Sequence, residues 1–255
     1  MITDGAVWDD NHSGKLSEPS NSEGGLRIQL FYIVCDESLS MAGASIQAVN
    51  DGIVELFDEI NSDPILDTKV WVGIIAFEGN ARILLPLTQM SGVTQIPLCA
   101  VGSSSANYGN LFRLLRFVIP RDVRMLSGRF RFESRPLVFF ISDGRPSDEN
   151  WRDELNKLVD PTFKFRPNIV SFGVAGAEKT VIAEVAHWGS KTGQKFFFMA
   201  EADGSPGAAI KEIAKFSVPD VYFSDPGPQP FLIVDGVKAG GQAIDGATTF
   251  IIDHL

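Results

Sequence analysis

Two apolar runs end abruptly in oxygen-bearing side chains. Residues 26–35 (LRIQLFYIVC) break into Asp36-Glu37-Ser38-Leu39-Ser40, and residues 136–141 (PLVFFI) break into Ser142-Asp143-Gly144-Arg145. Asp36, Ser38, Ser40 and Asp143 offer carboxylate and hydroxyl oxygens, with no histidine or cysteine among them. Such hard donors select Mg2+, Mn2+ or Ca2+ over zinc or copper. The alternate spacing of Asp36, Ser38 and Ser40 lets their three side chains turn inward together. So few protein ligands leave an Mg2+-type ion with several waters and room for one more oxygen, and that open position is a recognition site. Plainer structural roles compete. Asp and Ser are favoured helix N-caps, which would account for Asp36 and Ser38, and Asp-Gly is common in strand-to-helix turns. Their joint occurrence at two strand ends favours the ion. Arg145, at the rim, is placed to clamp a partner carboxylate, although an exposed arginine commonly does nothing specific.

The two loops can act together only if the fold brings their strand ends together. After the first loop, Ile46, Val49, Ile53, Leu56 and Ile60 follow at steps of 3 and 4, one stripe of a helix. TKVWVGIIAF (68–77) and ARILLPL (81–87) read as strands joined by a hairpin at Glu78, Gly79 and Asn80. Leu111, Leu114, Leu115 and Val118 form a second helical stripe. Trp151, Leu155 and Leu158 form a third, with Asp148 as its N-cap. A strand at NIVSFGV (168–174), a helix over 178–188, a strand at KFFFM (195–199) and a helix over 206–216 complete the alternation. This pattern predicts an α/β fold, a doubly wound, mostly parallel sheet with helices on both faces. In such sheets ligands bind outside the carboxyl ends of the strands, where the strand order reverses. Pro219, Pro226, Pro228 and Pro230 then break any helix, and FLIVDG (231–236) and TTFIID (248–253) read as a short C-terminal β appendage. The expected division is a polar tail over 1–25, the domain over 26–217, and a Pro-rich linker with the β extension over 218–255.

Composition narrows the function classes. The chain has 255 residues, 44% of them hydrophobic, with a formal net charge of −10. A surface this acidic disfavours nucleic acid and anionic membranes and suits cations and basic partners. Cys35 and Cys99 are too few for a disulfide framework, and reduced thiols point to the cytoplasm. Residues 1–25 show neither the basic start nor the apolar core of a secretion signal, and no run is long enough to span a membrane. His12, His187 and His254 are scattered and give no metal spacing. Between Pro120 and Pro136, residues 121–135 set Arg121, Arg124, Arg129, Arg131 and Arg135 against Asp122 and Glu133, a basic island that reads as a solvated loop or a docking surface.

The segment YIVCDESLSM resembles the Asp-x-Ser-x-Ser motif of von Willebrand factor type A (VWA) domains, and VFFISDGRPSD resembles their second metal motif, a strand ending in Asp-Gly. The resemblance covers roughly residues 26–217. AVNDGIVELFDEINSDP (48–64), VWVGIIAFEGNARILLPLTQ (70–89) and RPLVFFISDGRPSDENW (135–151) look most similar to the bacterial TerY-like subfamily, which is associated with tellurite resistance. It implies a metal-ion-dependent adhesion site in which Ser38 and Ser40 contact the ion directly while Asp36 and Asp143 hold it directly or through water. Magnesium is the first expectation, with Mn2+ and Ca2+ as alternatives. The third family motif departs: where Gly-Gly-Thr is usual this chain has VGSSSANYGNLF (101–112), with Ala106 at the threonine position and Ser105 the nearest hydroxyl.

The function expected is a non-enzymatic adaptor of a cytoplasmic bacterial stress or tellurite-resistance system. A partner's acidic residue would complete the metal shell, and the resemblance implies a protein kinase or phosphatase of the same system among the partners. Two alternatives stand beside it. One is a Mg2+-dependent phosphohydrolase or phosphotransferase, since acidic strand ends also position Mg2+ for phosphoryl transfer; the other is a degenerate VWA domain that binds its partner without an ion.

Overall fold

The first strand must be buried on both faces, because its sequence is apolar at odd and even positions alike. The computed structural model, which describes residues 26–174, 176–188, 195–200, 242–244 and 247–252, places β1 (Arg27–Asp36) in the interior of a mixed sheet. Ile28, Leu30, Tyr32 and Val34 point into one apolar layer and Phe31, Ile33 and Cys35 into the other. Each fully buried side chain of this size contributes roughly 1.5–3 kcal/mol.

From β1 the chain enters α1 (Ala44–Ser62), whose Val49, Ile53, Leu56 and Ile60 cover the Phe31 face. A short α2 (Pro64–Lys69) follows, taking residues 68 and 69 from the strand the sequence predicts there. Next come β2 (Val70–Phe77) and β3 (Ala81–Gln89), an antiparallel hairpin through Glu78, Gly79 and Asn80 as expected. Next, α3 (Tyr108–Leu126) covers the opposite face with Leu111, Leu115 and Val118. The chain continues through β4 (Arg131–Phe132), β5 (Leu137–Ser142), α4 (Trp151–Val159), β6 (Asn168–Gly173), α5 (Lys179–Val185) and β7 (Lys195–Ala200). Finally β8 (Gln242–Ile244) and β9 (Ala247–Ile252) form an antiparallel pair, with β9 laid antiparallel on β7. The expected C-terminal strand at TTFIID corresponds to β9. FLIVDG and the helix over 206–216 lie outside the described residues.

The strand order is β3-β2-β1-β5-β6-β7-β9-β8, with β4 pairing the start of β1. Strands β2, β1, β5, β6 and β7 are mutually parallel. The chain therefore moves one way from β1 and the other way from β5, so the reversal falls between them, where Cys35 pairs with Ile141. Asp36 and Ser142-Asp143 are the residues that emerge there.

Two expectations need correction. Residues 121–135 are not a solvated loop. α3 runs through Pro120 to Leu126, because Val123 and Leu126 extend its buried stripe and that packing outweighs the backbone bond Pro120 cannot donate. Asp122, Glu133 and Arg135 are buried, and only part of the island faces solvent. Asp148 is not the cap of α4, whose N-cap position is Asn150. Its carboxylate instead accepts the Tyr108 and Gly109 amides at 2.8 and 3.0 Å, across the site on the first turn of α3.

Candidate metal centre at the ends of β1 and β5

Asp36 closes β1 with no exposed surface. One oxygen accepts the Ser38 amide at 2.8 Å and the other accepts the Ser142 hydroxyl at 2.6 Å. Burial pushes its pKa up to about 6, against the lowering effect of these hydrogen bonds; the nearby Asp143 adds to the rise. Capping is not what Asp36 and Ser38 do. The N-cap of α1 is Gly43, and Ser38 makes no cap bond to the short 3-10 turn that begins after it. Freed from capping, Ser38 Oγ lies 3.1 Å from Ser40 Oγ, with Ser38 buried and Ser40 exposed. The alternate spacing thus brings the two hydroxyls together.

Asp143 follows β5 and is 4% exposed. Its Oδ1 accepts the Arg145 amide at 3.2 Å, a local turn bond. Its Oδ2 is buried without a hydrogen-bond donor and has only the Arg145 Nε at 3.9 Å. Gly144 turns the chain with a φ of +74°, and a Cβ there would lie 2.8 Å from the Glu178 carbonyl oxygen, so a glycine is required. Arg145 itself is largely exposed at the rim and also reaches the Gly176 carbonyl.

The loop carrying Ser105 is stitched to the Asp36 loop. The Leu39 amide donates to the Ser103 carbonyl and the Gly102 amide to the Glu37 carbonyl, both at 2.8 Å. Ser105 Oγ sits 3.2 Å from Ser103 Oγ, while Ala106 is buried in the α3-side core. Among the described residues no group of three or more His, Cys, Asp or Glu could hold a metal, so any ion here must rest on two carboxylates and hydroxyls. The orphaned Asp143 oxygen, near enough to Asp36 for the two charges to interact, fits a hard divalent cation, which an all-oxygen donor set favours.

Three participants escape a reading of the sequence. Ser142 bridges the site: it donates to Asp36 and accepts from the Gly144 amide at 3.0 Å and from the Tyr108 hydroxyl. Tyr108, buried on α3, has its pKa raised well above 10 by burial and then by the Asp36 charge. Glu37, fully buried, accepts from the Ala100 amide at 2.7 Å and from the Arg82 guanidinium, pinning the third loop. A polar residue at the end of an all-apolar strand was the available signal for Ser142; nothing local marks Tyr108.

Comparisons with known proteins bear on the fold and the family. The solved structure of proximal thread matrix protein 1 from the mussel byssus is similar at 13% identity and a TM-score of 0.51, covering 76% of this chain and 48% of that one. The pilus adhesin SpaC from Lactobacillus rhamnosus GG, in its open conformation, is similar at 12% identity and a TM-score of 0.57, covering 77% and 31%. The mussel protein is also known with a zinc-occupied MIDAS motif, in a structure at 17% identity and a TM-score of 0.49 that covers 76% and 45%. The chain spans less than half the length of these proteins, and at these identities the likeness shows the fold alone. No curated protein sequence matches. The profile of the von Willebrand factor type A domain matches residues 31–213, and the chain belongs to that family.

Proposed function

We propose that this chain is a divalent-metal-dependent protein-interaction module, acting without catalysis, in which Asp36, Ser38, Ser40, Ser105 and Asp143 hold the ion and a partner carboxylate completes its shell. The observation that carries the reading is the buried Asp143 Oδ2 without a donor, at a strand end where two serine hydroxyls meet beside a second buried carboxylate. A buried anionic oxygen lacking a donor is costly, and a cation offsets that cost. The ion, Mg2+ first and Mn2+ or Ca2+ next, supplies a Lewis-acidic position for an external oxygen. Arg145 at the rim would pair with the same carboxylate. The three segments that resemble TerY-like proteins support a place in a cytoplasmic bacterial stress or tellurite-resistance system, with a kinase or phosphatase as partner.

A second reading has its own observation. Ala106 is buried in the core where the family ligand would stand, and both Asp36 oxygens already have donors, which favours a partner bound without an ion. Calorimetric titration of Mg2+, Mn2+ and Ca2+ into EDTA-stripped protein decides between them. The first reading expects saturable binding that vanishes in both Asp36→Ala and Asp143→Ala, with a gain of about 2.7 kcal/mol in stability at an ion concentration of about 100 Kd. Binding that survives both substitutions would sink the proposed ligand set, and no binding at millimolar ion leaves the ion-free reading. Hydrolysis of p-nitrophenyl phosphate with Mg2+, lost in Asp36→Ala, would instead make the chain an enzyme.

A further inference from the structure

Away from the strand ends, α3 and the loop after α4 enclose an open groove of about 720 Å3. Its walls carry Arg116, Phe117, Arg121 and Arg124 from the helix and Phe163 and Phe165 from the loop. Phe117, Arg121 and Arg124 lie at i, i+4 and i+7, one stripe of the helix surface. Phe117 is 67% exposed. With the Phe163 and Phe165 rings on the facing wall it makes a shared apolar surface of the kind that marks an interaction site.

The charges are graded along the groove. Arg121 is paired with Asp122 at 2.7 Å and Arg116 with Glu154 at 3.4 Å. Arg124 has no carboxylate partner among the described residues; its guanidinium lies over the Phe165 ring, 4.9 Å from the centroid. The loop wall is pre-formed, since the Thr162 amide donates to the Asp160 carboxylate at 2.7 Å and the Phe163 amide to the Asp160 carbonyl at 2.9 Å. An occupant would therefore bind without ordering that wall.

We propose that this groove is a second docking surface, for an acidic peptide segment that carries an aromatic or large aliphatic side chain, and that it works independently of the metal centre. Charge complementarity selects the occupant. A short acidic segment meets only the local cations, because fields are screened beyond about 8 Å at physiological salt. A nucleic acid or anionic membrane would have to bring its extended charge against a chain of net −10. The apolar side chain would lie on Phe117 and the Phe163–Phe165 pair, whose rings are in edge contact at 6.1 Å, while a flanking carboxylate pairs with Arg124. The groove starts about 12 Å along the helix axis from Tyr108, at 1.5 Å per residue, so one molecule can hold both occupants.

The test uses the full chain and a fluorescein-labelled synthetic peptide of alternating Glu and Asp around two Phe, followed by fluorescence anisotropy. Saturable binding is expected that persists in EDTA and in Asp36→Ala. It should weaken several-fold or more in Arg124→Glu and in Phe117→Ala. Arg124 and Phe117 are both exposed, and unchanged thermal unfolding of the variants would confirm that the fold is kept. A peptide with Ala in place of Phe should bind more weakly than the parent. The proposal is overturned by absence of saturable binding, by binding that neither variant weakens, by loss of binding in EDTA, or by tighter binding of oligothymidine or phosphatidylserine vesicles.

Discussion

At the residue scale, Asp36 couples stability to pH. Its folded pKa, about 6, stands above the unfolded value near 3.9, so the folded state favours the protonated carboxyl. The stability this contributes is fully present below about pH 3.9 and is lost as pH rises through about 6, up to roughly 3 kcal/mol in total. In EDTA the protein should therefore unfold at higher temperature at pH 5 than at pH 7.5, and Asp36→Asn should flatten that slope. A saturating divalent ion should reverse the slope, because it binds the ionised carboxylate and must compete with the proton. If the apo protein shows no pH dependence across this window, burial of Asp36 is not the governing term. Residue type and spacing single out Asp36, Ser38, Ser40 and Asp143 in the sequence, because their oxygens interrupt two otherwise apolar runs. They could not reveal Ser142 and Tyr108, whose roles arise only from the β1–β5 register and from a helix far off in sequence.

The element that holds the site is α3, and a residue from another segment fixes its start. Asp148 accepts two amides of the first turn while Asn107 accepts a third at 2.8 Å, which satisfies donors a helix leaves open and sets negative charge against its positive end. Asp148→Ala should cost about 1–2 kcal/mol in urea unfolding, and should weaken ion binding because Tyr108 is held through the same turn. A loss below a few tenths of a kcal/mol would show that Asn107 alone suffices. The other end of α3 explains where sequence reading stopped. The sequence shows a helical stripe over Leu111–Val118 and a loop-like stretch after Pro120, a strong stop signal; the continuation rests on Val123 and Leu126 reaching the same core, which is a tertiary fact. Strands β1, β5, β6 and β7 are legible in the sequence to within a residue, since a near-continuous apolar run marks its own ends, whereas β4, inside the stretch that reads as a loop, and the short β8 are not. Asp148 reads as a cap of its own segment because the amides it accepts lie about 40 residues away in sequence, where no local pattern points.

For the whole molecule, the parallel strands nearest the reversal are buried on both faces, whereas β3 is only half-buried at the sheet's end. Native-state hydrogen exchange should show β1 and β5 amides opening only with global unfolding and β3 amides exchanging through smaller openings. Equal protection in β3 and β1 would contradict this ranking. The direction of β9 has a further consequence. Because it runs against β7, Ile252 pairs with Lys195, at the entry side of the parallel strands, where Leu26 also stands just before β1. Both ends of the described fold leave from the side opposite Asp36 and Asp143. A tether, tag or surface linkage at either end would hold the molecule by its base, and the oxygen-lined end would face outward like the tip of a probe.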